Sequence, residues 1–212
     1  MRIAVLALAV TAHARPMQTP MPTPTPTATP PDLALVQWHH SIALGKPYRH
    51  GRLVDGVQLP ALGQDFFTWD PVYNRIPNRG WRRWGTDRLV RMLLTVISGY
   101  RATVSSAQRV GIMDLSRPHG GPFGREFGGL GHASHQNGLD ADVLYPRTDG
   151  LELRATVPSE VDQQAAQELI DRFLAAGAVR LYVGPHLHEL HGPKGVVVPL
   201  IYHDDHMHVR IR

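Results

Sequence analysis

The chain has 212 residues, which is enough for one domain of ordinary size with a short extension. A hydrophobic fraction of 42% is sufficient for a buried core, and the lack of cysteine excludes disulfides, thiolate metal sites and cysteine nucleophiles. The net charge of +4 favours anionic surroundings, but no basic stripe interleaved with aromatic residues accompanies it, so we expect no nucleic-acid partner.

The N-terminal region has the pattern of an export signal followed by a linker. Arg2 precedes an apolar run from Ile3 to Val10, and Ala12-His13-Ala14 resembles a signal-peptidase cleavage site. The run is too short for a bilayer, where about 20 apolar residues are needed, so we expect no transmembrane segment. The Pro-Thr repeats that follow favour an extended tether, because proline fixes φ and removes a backbone donor. The predicted division is a signal peptide at 1–14, a linker at 15–31 and a folded domain at 32–212.

The next part of the chain predicts an irregular excursion and then a helix. Between Gly45 and Gly80 the sequence is rich in glycine, proline, arginine and aromatic residues, and its poor periodicity predicts short strands. The aromatic side chains there can wall a groove or pack the excursion onto the core, and packing is the commoner fate. A helix is predicted from Asp87 to Ser98, with Thr86 as its N-cap and Gly99 at its end.

A second helix and several strands complete the predicted fold. The helix is predicted from about Glu160 to Ala176, with Ser159 as N-cap and Gly177 as the left-handed residue that ends it. Five segments have strand-like patterns: Ile112–Leu115, Ala141–Leu144, Val179–Val183, Val196–Ile201 and His206–Ile211. Helices combined with mostly antiparallel strands predict an α+β domain, and no internal repeats are present.

Histidine and aspartate spacing gives the strongest chemical signal. His135 and Asp142 are seven positions apart, and on a continuous helix they would be about 10 Å apart, too far to share a metal ion. They can share one only if the chain turns back between them, for which Gly138 is the favoured place. His206 and His208 lie on the same face of a predicted strand. Two imidazoles and a carboxylate with an open position form the ligand set of a catalytic zinc site, and only one of the strand histidines needs to be a ligand.

Two other patterns compete with this site. His186, His188 and His191 form a second histidine group, but glycine and proline on both sides predict a loop without strand support. Glu189 is the one carboxylate with suitable spacing there, so we expect a solvated loop, at most at the rim of a groove. Ser134 lies beside His135, but no nucleophile-elbow glycine pattern or oxyanion-hole segment accompanies it, which argues against serine catalysis.

Two segments resemble a known family, the penicillin-insensitive murein endopeptidases. The close matches are Gly131–Asp142 (GHASHQNGLDAD) and His203–Arg210 (HDDHMHVR); Asp114–Pro122 (DLSRPHGGP) and Leu53–Pro60 match more loosely. Together they span most of residues 46–212. These enzymes belong to a wider group of zinc peptidases that includes lysostaphin-type enzymes, D-Ala-D-Ala peptidases and the hedgehog domain. The chain departs from the family in having no cysteine, since these endopeptidases commonly contain disulfides.

The resemblance implies a fold, a cofactor and a reaction. The fold is a small, mainly antiparallel sheet that carries the metal and is flanked by helices and long loops. The reaction is hydrolysis of peptide cross-links of peptidoglycan, of the D-alanyl-diaminopimelate type, by an exported enzyme of the periplasm or cell wall. The implied roles are Zn2+ ligation by His135, Asp142 and His208, catalysis or transition-state stabilisation by His206, and lining of the active site by His132 and His203.

Two alternatives stay open at the level of the sequence. A D,D-carboxypeptidase or dipeptidase with the same zinc centre would need a cation for a free carboxylate, and Arg117, Arg125 and Arg147 are the candidates. A non-catalytic, zinc-holding module that binds the cell wall is the alternative from another class. Such a module would be free to lose the carboxylate ligand or the catalytic histidine, whereas Asp142 and His206 are both present.

Overall fold

The computed structural model describes residues 29–104, 107–124 and 132–212. The predicted signal peptide and nearly all of the predicted linker lie outside these residues, and the division at residue 32 stays a prediction. Within the described ranges, no helix has both the length and the apolar character needed to span a membrane. The strands and helices in chain order are β1 (Ile42–Lys46), β2 (Arg49–Val54), β3 (Val57–Gln58), β4 (Phe66–Thr68), β5 (Trp84–Gly85), α1 (Asp87–Thr103), β6 (Val110–Ile112), β7 (Asp140–Leu144), α2 (Gln163–Ala175), β8 (Arg180–Val183), β9 (Val197–Pro199) and β10 (His206–Arg210).

A six-stranded sheet forms the centre of the molecule, in the order β4-β6-β7-β10-β8-β9. Its three central pairings are antiparallel, and its two outer pairings, β4 with β6 and β8 with β9, are parallel. Two smaller two-stranded sheets, β1-β2 and β3-β5, accompany it. With two α-helices and mixed sheets, the predicted α+β class is confirmed.

The two helices and one face of the large sheet share a single core. Leu93 and Ile97 of α1 and Phe173 of α2 are fully buried, and they belong to the same hydrophobic cluster as Met207 and Val209 of β10. Because side chains alternate along a strand, burial of Met207 and Val209 on this face directs His206 and His208 to the opposite face. The face of the sheet opposite the core therefore carries the histidines.

The first helix is longer than its sequence pattern predicts. Thr86 is the N-cap as predicted, since its hydroxyl accepts from the Leu89 N–H at 3.2 Å. The predicted end at Gly99 is wrong, because α1 continues to Thr103. Tyr100, directly after the glycine, is only 1% exposed and packs in the core, and one helical glycine costs about 1 kcal/mol, which such burial offsets.

The second helix begins three residues later than predicted. Its N-cap is Asp162, whose carboxylate accepts from the Ala165 N–H at 3.0 Å, and Ser159 lies in a separate 3-10 turn. The predicted Ser159 cap is therefore wrong. The reason is Val161, which is buried and extended and bridges to Arg147, so the helix cannot pass through it. The predicted end at Gly177 is confirmed by its φ of +95°.

The irregular segment between Gly45 and Gly80 mostly packs onto the core. Phe66, Phe67 and Trp69 are buried, so these aromatic residues do not wall a groove. The strand predicted at Ile112–Leu115 is instead Val110–Ile112, paired in parallel with β4. Residues 113–115 lie outside this strand, although the Met113 N–H still donates to the Asp142 carbonyl of β7 at 2.8 Å.

Candidate metal centre

The candidate centre lies where β7 and β10 run side by side. In the antiparallel register, His208 is directly opposite Asp142. His135 reaches the same place from the loop before β7, where the chain reverses at Gly138, whose φ is +73°. A side chain at position 138 would press on Leu53 and on a backbone nitrogen about 3.0 Å away, so glycine is required there. The predicted reversal between His135 and Asp142 is thus confirmed.

One carboxylate oxygen joins the two buried imidazoles. Asp142 Oδ1 lies 3.2 Å from His135 Nε2 and 3.0 Å from His208 Nδ1. All three side chains are almost completely buried, and the two rings are perpendicular with centroids 4.8 Å apart. His135 Nε2 and Asp142 Oδ2 form no hydrogen bond of acceptable geometry within the described residues. Buried polar atoms are normally paired, so two such atoms facing one point indicate that a ligand completes the site.

The outward-facing nitrogen of each imidazole is already held. His135 Nδ1 lies 2.7 Å from the Leu115 carbonyl oxygen, and His208 Nε2 lies 3.2 Å from Asp140 Oδ1. Metal-binding histidines have this arrangement, in which one nitrogen donates to a carbonyl or carboxylate while the other faces the metal. Asp140 also accepts from the His135 backbone N–H at 3.0 Å, so it fixes both imidazole-bearing segments. Its position two residues before Asp142, on the same face of β7, was the sequence signal for this role.

His132 is closer to the centre than a residue that merely lines a cleft. His132, His135 and Asp142 form a group whose potential ligand atoms lie within 4.8 Å of one another. However, His132 Nε2 lies 2.6 Å from Asp114 Oδ2, and its Nδ1 is 3.7 Å from Asp142 Oδ2. Asp114 is itself bound by the fully buried guanidinium of Arg82. Sequence reasoning missed both Asp114 and Arg82, because no local spacing connects them to His132.

The electrostatics favour the metal-binding protonation state at Asp142 and His135 but oppose it at His208. Burial alone would raise the pKa of Asp142, but the neighbouring His135 and His206 lower it well below its usual value. Burial lowers the pKa of His135, which favours the neutral form of this imidazole. Burial would also lower the pKa of His208, but Asp140 and Asp142 raise it to about 9. A metal ion must therefore displace a proton from His208 on binding.

A cleft of about 1200 Å³ opens over these residues. His206 lies at its floor, with Nε2 3.7 Å from Asp142 Oδ1 and Nδ1 2.7 Å from Asp205 Oδ1. His203 stacks beside it at a centroid distance of 4.8 Å, and His203 Nδ1 faces the Ile201 carbonyl at 2.8 Å. All six histidine and aspartate residues predicted for the site therefore lie together in one cleft.

The other candidates lie apart from the centre or at its rim. His186 lines the cleft rim and pairs with Asp204 at 2.7 Å, whereas His188 and His191 are exposed. Ser134 lines the cleft. Arg147 is bound by Asp149 and Glu160, Arg117 by the Gly120 carbonyl, and Arg125 lies outside the described residues. Two described arginines line the cleft, Arg154 and Arg210, and sequence reasoning proposed neither as the cation for a carboxylate.

The fold and the site define an α+β protein with a histidine–aspartate cluster on its central sheet that can hold a metal ion. The model of the penicillin-insensitive murein endopeptidases matches residues 43–178. The chain belongs to this peptidase family, and the predicted family is confirmed. The matched range contains His132, His135 and Asp142 but ends before β10. No curated protein matches the chain.

Proposed function

We propose that the protein is a zinc-dependent murein endopeptidase that hydrolyses D-alanyl-diaminopimelate cross-links of peptidoglycan. The observation that carries the proposal is the convergence of His135 Nε2 and His208 Nδ1 on Asp142 Oδ1 at the floor of the cleft. Family membership supports the substrate class, since the family is named for murein. The net charge of +4 suits a cell wall that bears free carboxylates.

The proposed ligands are His135, Asp142 and His208. Two nitrogens and one carboxylate oxygen form a three-ligand set that leaves a position open, as catalytic zinc sites do. His132 is an alternative to His208 as the second imidazole ligand, because its Nδ1 also faces Asp142. We assign His132 to the cleft wall, since Asp114 and the stacked His135 ring hold it farther from Asp142 than His208 is.

The zinc ion and the histidines of the cleft have separate roles in the proposed reaction. A bound zinc ion supplies Lewis acidity, which polarises a carbonyl and makes a neutral-pH nucleophile of water. His206 is the proposed general base or oxyanion stabiliser, because its Nε2 faces the centre while Asp205 holds its Nδ1. His203 and His132 flank the place where the scissile peptide lies.

Two variants separate ligation from catalysis. His206→Ala should keep its zinc and lower kcat by at least about 100-fold, because general acid–base groups contribute 10²–10⁴-fold. His208→Ala should lose metal and activity together. Zinc content is measured by elemental analysis, and activity by mass spectrometry of digested cross-linked muropeptide dimers. Full activity in His206→Ala, or full zinc content in His208→Ala, would contradict the assigned roles.

The digestion products also separate the alternatives. Conversion of a cross-linked dimer to two monomers identifies an endopeptidase, whereas loss of a terminal D-alanine alone identifies a carboxypeptidase. A protein that binds zinc and sediments with sacculi without releasing peptides would be a non-catalytic module. Export to the periplasm or cell wall is part of the proposal, because that is where the substrate lies.

A further inference from the structure

The charged groups that line the cleft are unequally available to a substrate. Asp142, Asp204 and Asp205 present carboxylates, and two of the described lining residues, Arg154 and Arg210, carry guanidinium groups. Arg210 is bound through Nε to the buried Asp140 at 2.5 Å. The Arg210 side chain is 18% exposed and the Arg154 side chain 31%, so a substrate carboxylate that enters this cleft meets the more accessible guanidinium at Arg154.

The guanidinium of Arg154 has donors to spare. Nη1 lies 3.3 Å from Asp205 Oδ2, and Nη2 donates to Asn74 Oδ1 at 3.1 Å. These contacts engage two of the five N–H groups of a guanidinium, and the side chain is 31% exposed. The remaining donors can form a charge-assisted, forked pair with a carboxylate.

The loop that carries Arg154 is held in place by contacts with Arg147 and with the core. The buried Arg147 guanidinium donates to the Arg154 carbonyl at 3.4 Å and pairs with Asp149 and Glu160. The neighbouring Ala155 is only 2% exposed and belongs to the core. Arg154 is therefore held in place before any ligand arrives, which lowers the entropy lost on binding.

Arg154 is connected through Asp205 to His206, the proposed general base. Its partner Asp205 holds His206 Nδ1 at 2.7 Å, and the opposite nitrogen of that ring faces Asp142. Arg154 is thus two contacts away from the proposed general base. In a D-alanyl-diaminopimelate cross-link, the carbon bonded to the scissile nitrogen carries a carboxylate. In a lysine-type cross-link, that carbon carries no carboxylate.

We infer that Arg154 binds the diaminopimelate carboxylate next to the scissile amide and makes the enzyme selective for cross-links that carry it. The inference rests on the proposed endopeptidase function and adds a specificity residue to it. Arg154 acts on the substrate directly, and its contact with Asp205 orients the fork.

The test compares three synthetic cross-linked dimers: one with the free diaminopimelate carboxylate, one with that group as carboxamide, and one of lysine type. Wild-type protein loaded with zinc should cleave the carboxylate dimer with a kcat/KM about 10- to 100-fold above the other two, the range for a charge-assisted hydrogen bond. Arg154→Ala should lose this advantage on the carboxylate dimer and change little on the carboxamide. Arg154→Lys, which keeps the charge but not the fork, should lose part of it.

The controls separate substrate binding from an indirect effect. Asp205→Asn should lower turnover on all three dimers, because Asp205 holds His206, with a further loss on the carboxylate dimer because it also orients Arg154. Arg88→Ala, at an exposed arginine on α1, should change none. Zinc content and unfolding temperature verify that each variant is folded. An equal loss on the carboxylate and carboxamide dimers in Arg154→Ala, or no preference in the wild type, overturns the inference alone. Failure of the wild type to cleave any dimer overturns the proposed function with it.

Discussion

At the scale of single residues, the candidate centre depends on side chains that fix its imidazoles. Asp140 accepts from the His135 backbone and faces His208 Nε2, and it is also paired with Arg210. Strong interactions with His208 and Arg210 hold the pKa of this carboxyl far below its usual value, despite burial. One ionised carboxylate thus orients both proposed imidazole ligands.

We therefore expect Asp140→Asn to weaken zinc binding by about 10- to 100-fold, the usual effect of losing a partner behind a metal ligand. The variant removes the negative charge that makes the His208 imidazole a stronger electron donor to the metal ion. Zinc affinity is measured by competition with a chromogenic chelator. Asp171→Asn, an exposed change on α2, is the matched control, and equal affinities in both variants would contradict the role of Asp140.

The sequence predicts the proposed metal ligands and general base better than the residues that hold their side chains in place. His135, Asp142, His206 and His208 could be proposed from the sequence because metal ligands need particular side chains at spacings that one turn or one strand can accommodate. Arg82 and Asp114 could not, because their contacts with the site join segments far apart in the chain. Nothing in local spacing determines which distant carboxylate lies behind an imidazole.

At the scale of elements, strand patterns were read more accurately than helix ends. The burial of Met207 and Val209 follows from simple alternation of side chains. The start of α2 did not follow from pattern, because Ser159 and Asp162 are both good N-caps. The choice between them is made by the tertiary contact that keeps Val161 extended.

The two possible caps provide a direct comparison. Asp162→Ala should lower the free energy of unfolding by about 1 kcal/mol, because it removes the acceptor of the Ala165 N–H. Ser159→Ala should change it by less than about 0.5 kcal/mol, as surface substitutions do. Urea unfolding of both variants gives the difference. A larger loss of unfolding free energy in Ser159→Ala would indicate that Ser159 is the N-cap, as the sequence pattern predicts.

At the scale of the whole molecule, composition and element order predict the α+β class but not the order of strands. The parallel pairings of β4 with β6 and β8 with β9 connect segments whose local patterns carry no information about partners. The shared cleft likewise arises only when residues of β7, β8, β10 and several loops are assembled. The long-range pairing of β7 with β10 links the candidate centre to the stability of the whole sheet.

Zinc should therefore stabilise the entire fold. At a free concentration 1000-fold above its dissociation constant, a ligand specific for the native state adds about 4 kcal/mol, which corresponds to about 8–16 °C in Tm for a domain of this size. Calorimetry with and without zinc measures the shift. The shift should be largely lost in His135→Ala and retained in His191→Ala, an exposed loop histidine. Equal shifts in the two variants would place the ion elsewhere.

The central place of β10 in the sheet has a consequence for the timing of activity. This strand lies between β7 and β8 and carries His206 and His208, yet it follows every other strand along the chain. A nascent polypeptide that ends after β9 lacks the strand that joins β7 to β8, and it lacks His203, His206 and His208 of the cleft. Under the proposed function, hydrolytic competence therefore arises only after synthesis has passed β10.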